Sequence, residues 1–111
     1  MDSYNVIITD RALEQLESYI DYIQYTLLNV QAADAVSLDA VDTCTKLQTL
    51  AGSFRLCNDS LLRSLGYHSV KFSKHKYVML YRIEGKTAVV EAIYHQMQDY
   101  DATFADSLEE N

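Results

Sequence analysis

The sequence predicts an α+β domain in which an antiparallel β-meander packs against an N-terminal helical hairpin and a short C-terminal helix closes the chain. Three observations predict it. Two runs rich in Val, Ile and Tyr, Tyr77–Ile83 and Thr87–Tyr94, flank Glu84-Gly85-Lys86, where Gly85 can take the positive φ of a tight hairpin turn. Leu13, Leu16, Ile20, Ile23 and Leu27 recur at spacings of three and four, an apolar stripe along a helix. His68, Val70 and Phe72 alternate with Ser69, Lys71 and Ser73, the period of a half-exposed strand. At 111 residues the chain reads as one domain spanning 1–111, large enough for a two-layer core.

Each element has its own signal. Tyr4-Asn-Val-Ile-Ile-Thr9 is a β-branched run that reads as an opening strand. Thr9 and Asp10 offer an N-cap oxygen for the first helix, and Tyr22 and Tyr25 lie off its apolar stripe. A break near Leu28-Asn29-Val30 precedes a second helix from about Gln31 to Leu50. Ala33, Val36, Ala40, Cys44 and Leu47 share one of its sides, and Asp34, Asp39 and Asp42 are expected on solvated ones. Gly52 and Ser53 mark a loop over Ala51–Asn58, followed by the short segment Ser60–Leu65 and a break at Gly66-Tyr67. The strand from His68 turns at Lys74-His75-Lys76 into the central hairpin. On its first strand Tyr77, Met79, Tyr81 and Ile83 face one way, and Val78, Leu80 and Arg82 the other. Asp101–Leu108 makes a terminal helix with Phe104 and Leu108 packing back.

The net charge of −7 argues against bulk nucleic acid as a partner, but its distribution is uneven. Residues 1–54 carry Arg11 and Lys46 against eight carboxylates. Residues 55–86 carry Arg55, Arg63, Lys71, Lys74, Lys76, Arg82 and Lys86 against Asp59 and Glu84. Residues 87–111 carry six carboxylates and no Lys or Arg. A cationic middle between anionic ends suits a sheet that meets an anion or an acidic partner. Cys44 and Cys57 are too few for a disulfide framework, so Cys44 reads as a buried small hydrophobe and Cys57 as a loop thiol. With no secretory leader and no apolar run of about 18 residues, the chain is expected in the cytoplasm, away from membranes.

Candidate chemistry centres on the end of the last strand. His95 stands where an apolar strand gives way to Gln96, Gln98 and Asp99, a place for an acid or base. Arg63 and Arg82 are embedded in apolar runs where a charge needs a reason, and they are the candidate phosphate clamps; Lys71, Lys74 and Lys76 are candidate contacts for a target or partner. His68, His75 and His95 lack metal-ligand spacing, and no motif implies a cofactor. Hydrolase, kinase and dinucleotide-binding signatures are absent from the sequence.

The opening strand Tyr4–Thr9 with Ala12 and Leu16, Arg63, the meander from Gly66 to Leu80-Tyr81-Arg82-Ile83, and Val89-Val90-Glu91-Ala92-Ile93-Tyr94-His95 with Gln98-Asp99-Tyr100 together resemble the RelE/ParE superfamily of toxins from type II toxin–antitoxin modules. The resemblance implies a growth-arresting toxin of the plasmid-stabilization type, neutralised by a cognate antitoxin, with homodimers or heterotetramers as assemblies. It implies one of two targets, DNA gyrase for ParE-like members or ribosome-bound messenger RNA for RelE-like ones. RelE-type cleavage uses an arginine at the place of Val78, a second near Gln98 and a terminal tyrosine near Phe104. Those departures favour the ParE-like or another non-nuclease target. The alternative is an mRNA endonuclease acting through His95 with Arg63 and Arg82. A second alternative is a non-toxic relic that still binds its antitoxin. Tyr22, Lys71, Lys74, Lys76, Tyr81, Gln98, Asp99 and Tyr100 are the expected contacts for a target or antitoxin.

Overall fold

The structure, a computed structural model, describes residues 3–109. The chain runs β1 (Asn5–Ile8), α1 (Asp10–Asp21), a π-helical turn (Tyr22–Thr26), α2 (Val30–Leu50), α3 (Ser60–Ser64), β2 (His68–Lys71), β3 (Tyr77–Glu84), β4 (Thr87–His95) and α4 (Tyr100–Glu109). The four strands form one sheet in the order β1-β4-β3-β2. The meander β2-β3-β4 is antiparallel as expected, but β1 joins it in parallel, Ile7 opposite Val89. Parallel neighbours need a long crossover, which the intervening helices and meander supply. Strand β4 is therefore central, and His95 stands at its end rather than on a lateral edge of the sheet.

Alternation along β3 divides the core. Met79 and Tyr81, with Val90 and Ile93 of β4, pack beneath α1 and α2 around Leu16, Val36, Ala40 and Leu47. Val78 and Leu80, with Ala92 and Tyr94, pack on the other face beneath α3 and α4 around Leu62 and Phe104. Burying a side chain such as Leu47 or Phe104 contributes about 1.5–3 kcal/mol, so both faces hold the sheet. Helix starts follow the capping rules. The Ala12 N–H donates to Thr9 Oγ1 (3.2 Å), Ala32 to Asn29 Oδ1 (3.0 Å) and Leu62 to Asp59 Oδ1 (3.1 Å).

Three readings change. The apolar stripe of the first helix does not continue as one α-helix to Leu27. The helix widens into the π-turn, closed by Leu27 N–H to Tyr22 O at 3.1 Å, and Leu28 then takes φ 53° with its side chain 82% exposed. Leu13, near the start of the same stripe, is 42% exposed. Cys57 is a loop thiol as expected but a buried one, and Cys44 packs half-buried against the core; both are free thiols. Asp39, expected in solvent, is 2% exposed, and its neighbours on the helix explain why. Val36, Asp39, Ala40, Thr43 and Leu47 follow helical spacing, and all five are buried.

Candidate functional site

The end of the central hairpin, the tip of the helical pair and the β2–β3 turn meet around His95. Asp39 organises this corner from α2. Its Oδ1 accepts the Ser73 N–H (3.2 Å) and its Oδ2 those of Lys74 (2.9 Å) and His75 (2.8 Å). The His75 ring closes on the same Oδ2 through Nδ1 at 2.8 Å. Three successive backbone N–H groups form a nest that suits an anion, and this chain fills it from within. Burial works to raise the Asp39 carboxyl, but the His75 ring and the backbone donors outweigh it and hold it below its ordinary value.

His95 is pinned by its surroundings. Its ring stands edge-on to Tyr77, with centroids 5.3 Å apart. The Met97 N–H donates to Nδ1 at 3.1 Å, so the neutral ring carries its proton on Nε2. Gln98 Oε1 accepts both the His95 backbone N–H (3.0 Å) and the Tyr19 hydroxyl (3.1 Å), fixing the strand end to α1. Burial, the leading cause, pushes the Tyr19 hydroxyl up. Lys74, Lys76 and His95, with Ile23, Leu27 and Val36, line a cavity of about 410 Å³ at this corner.

The structure does not bring the candidate catalytic residues together. Arg82 belongs to a different cluster at the opposite end of the hairpin. Leu80 pairs with Ala92 but Tyr81 with Val90, so a β-bulge at Glu91 interrupts the ladder of β4. Glu91 binds the Arg82 Nε and accepts the Tyr67 hydroxyl at 2.7 Å, while Glu84 takes an Arg82 terminal nitrogen. The charge that looked unexplained in an apolar strand is neutralised by two carboxylates and is not a free phosphate clamp. Tyr77 is the register partner of His95, and Arg82 lies five residues further along β3. At about 3.3 Å per residue that is roughly 17 Å. Arg63 stands on α3, over the face of the sheet that lies away from α1 and α2 and that Arg82 shares, where its Nε donates to the Cys57 carbonyl at 3.1 Å.

The other expected contact residues divide in the same way. Tyr81 is corrected outright: it is fully buried, its hydroxyl donates to the Ala51 carbonyl at 2.5 Å, and its ring stacks on His68. Tyr22 is exposed on the π-turn, and Lys71, Lys74 and Lys76 are exposed at and beyond the end of β2. Gln98, Asp99 and Tyr100 line a separate cavity of about 460 Å³ with Asn58, Asp59 and Asp101, which is acidic rather than cationic. Asp101 Oδ2 accepts the Asn58 and Asp59 N–H groups, both at 3.1 Å, tying α4 to the start of α3. Burial first, then the Asp101 carboxylate, push the adjacent Cys57 thiol up to about 12. Sequence reasoning missed Asp39 and Glu91. The helical spacing of Asp39 was a usable signal, whereas nothing local announces the bulge.

A third surface lies along the outside of the helical hairpin. Leu13, Leu16, Ile20, Ala40, Val41 and Cys44 line an apolar groove of about 500 Å³ between α1 and α2. Val41 is 60% exposed on its rim. Among the described residues no helix is long and apolar enough to cross a membrane.

Comparison with known proteins agrees with this architecture. Residues 6–100 match the family described as the ParE toxin of the type II toxin–antitoxin system parDE. A solved chain titled "Chromosomal ParDE TA system from P. aeruginosa" superposes with a TM-score of 0.70 at 18% identity, covering 84% of this chain and 96% of that one. Among curated proteins none matches the sequence. With a family match across nearly its whole length and the same fold in a solved relative, this chain belongs to the ParE toxin family.

Proposed function

We propose that this chain is the toxin of a type II module, that it arrests growth by binding a protein target of the DNA gyrase class, and that a cognate antitoxin neutralises it. The observation that carries the choice of target is the dispersal of the cations. Arg82 is held between Glu84 and Glu91, Arg63 stands over the opposite face from the helical hairpin, and the His95 Nδ1 already accepts a backbone hydrogen bond. In-line cleavage of RNA needs an acid, a base and a charge clamp around one phosphate. The apolar α1–α2 groove supports the antitoxin reading, since an amphipathic helix laying Leu- or Val-type side chains into it would cover Leu13 and Val41.

Inducible expression with and without the antitoxin gene tests the whole reading. Growth arrest that persists in His95→Ala, together with inhibited supercoiling by purified gyrase, is the expected result. Cleavage of messenger RNA that disappears in His95→Ala would replace this reading with the nuclease.

A further inference from the structure

The cavity at the His95 corner combines two properties. Its wall is apolar, made by Ile23 and Leu27 at the end of the first helical arm and by Val36 of α2. Its rim is basic, carrying Lys74, Lys76 and His95. Asp39, the carboxylate that holds the Ser73–His75 turn beside the cavity, is already committed to the backbone of that turn and to the His75 ring. Lys74 and Lys76 make no ion pair among the described residues, in a chain where carboxylates outnumber lysines and arginines sixteen to nine. Beside the cavity, between its lining residues Leu27 and Asn29, Leu28 holds its side chain 82% exposed on a left-handed backbone.

We propose that this corner receives an acidic–apolar segment of a polypeptide partner. A bulky apolar side chain would rest against Ile23, Leu27 and Val36, and a carboxylate a residue or two away would lie between Lys74 and Lys76. Charge complementarity argues for an acidic occupant, and the wall argues for one that also has apolar surface to bury. A nucleic-acid backbone fits less well, because it brings charge without apolar surface to a chain of net charge −7. The corner is separate from the α1–α2 groove and involves no chemistry at His95. It therefore stands or falls independently of the gyrase reading and of the groove's occupant.

Phenylbutyrate, an apolar ring carrying one carboxylate, is a minimal probe of that segment. Titrated into the isotope-labelled chain, it is expected to move the backbone amide signals of residues 27–32 and 74–77. Phenylbutyramide, without the charge, should bind about two- to five-fold more weakly, and the Lys74→Gln/Lys76→Gln variant should weaken phenylbutyrate by about the same factor. Both lysines are exposed, so the variant's thermal unfolding should match that of the parent. Equal binding of the amide, full binding by the double variant, or no shift in the folded chain would each overturn the proposal. Inorganic phosphate or a short uridine oligonucleotide moving the same signals as strongly would overturn it in favour of a phosphate site.

Discussion

Replacing Asp39 by Asn removes one charge from the α2–turn junction while keeping its shape. The carboxylate accepts four hydrogen bonds at 2.8–3.2 Å, three from backbone N–H groups and one from the His75 ring, from a position 2% exposed. An asparagine retains one acceptor oxygen and sets an NH₂ group against a donor, so at least one buried N–H loses its partner. Hydrogen bonds to a charged group contribute about 1.5–3 kcal/mol each, and an unsatisfied buried group costs about 1–3 kcal/mol. The low end of these ranges applies to the His75 share, because that side chain is 29% exposed to screening water. The expected loss is about 3 kcal/mol at neutral pH, or roughly 13 °C in Tm for a domain of this size.

The pH dependence gives this prediction a sign. Because the folded carboxyl lies below its ordinary value, its contribution is complete above the unfolded pKa of about 3.9 and is lost as pH falls through the folded one. The stability gap between parent and variant in urea unfolding, followed by circular dichroism, should therefore be widest near neutrality and narrow in acid. A gap below about 1 kcal/mol at pH 7 would refute the reasoning, as would a gap unchanged on acidification.

Other outcomes follow from the same geometry. Leu28→Gly should stabilise the chain by about 0.5–1 kcal/mol in urea titration, because φ 53° strains a leucine and an exposed side chain loses little packing. Glu91→Gln leaves Arg82 with Glu84 alone and weakens the carboxylate's hold on Tyr67; a loss of about 1–2 kcal/mol is expected by the same assay. Cys57, buried and with its thiol pushed up to about 12, should resist a thiol-specific reagent at pH 8 in the folded chain and react once urea unfolds it. Leu13→Glu in the α1–α2 groove should lower antitoxin affinity by about ten-fold or more in calorimetry and leave folding intact, since the side chain is already 42% exposed.

Much of the architecture was legible because it is written in local periodicity. The alternation of Met79 and Tyr81 against Val78 and Leu80 assigns both faces of the sheet, and the turn at Gly85 (φ 59°) sits where the glycine marks it. The parallel seat of β1 beside β4 was not legible, because pairing between distant segments leaves no mark in either one. The candidate site failed for a related reason. Arg82 needed a partner, and its partner Glu91 faces it only because the bulge breaks the two-residue period of β4. Residue type alone puts Asp39 in solvent, whereas its spacing with Val36 and Thr43 places it on the buried stripe. Position on the periodic pattern was the better guide there.

The seating of β1 also orders assembly in time. Asn5 and Thr9 donate their backbone N–H groups to the Lys86 and Val90 carbonyls at 2.8 and 3.0 Å, so the earliest strand has no ladder partner until the latest one exists. During synthesis the helical arm can form as soon as it emerges, but the sheet beneath it stays open until β4 has been translated. An incomplete chain therefore lacks both the finished sheet and the His95 corner.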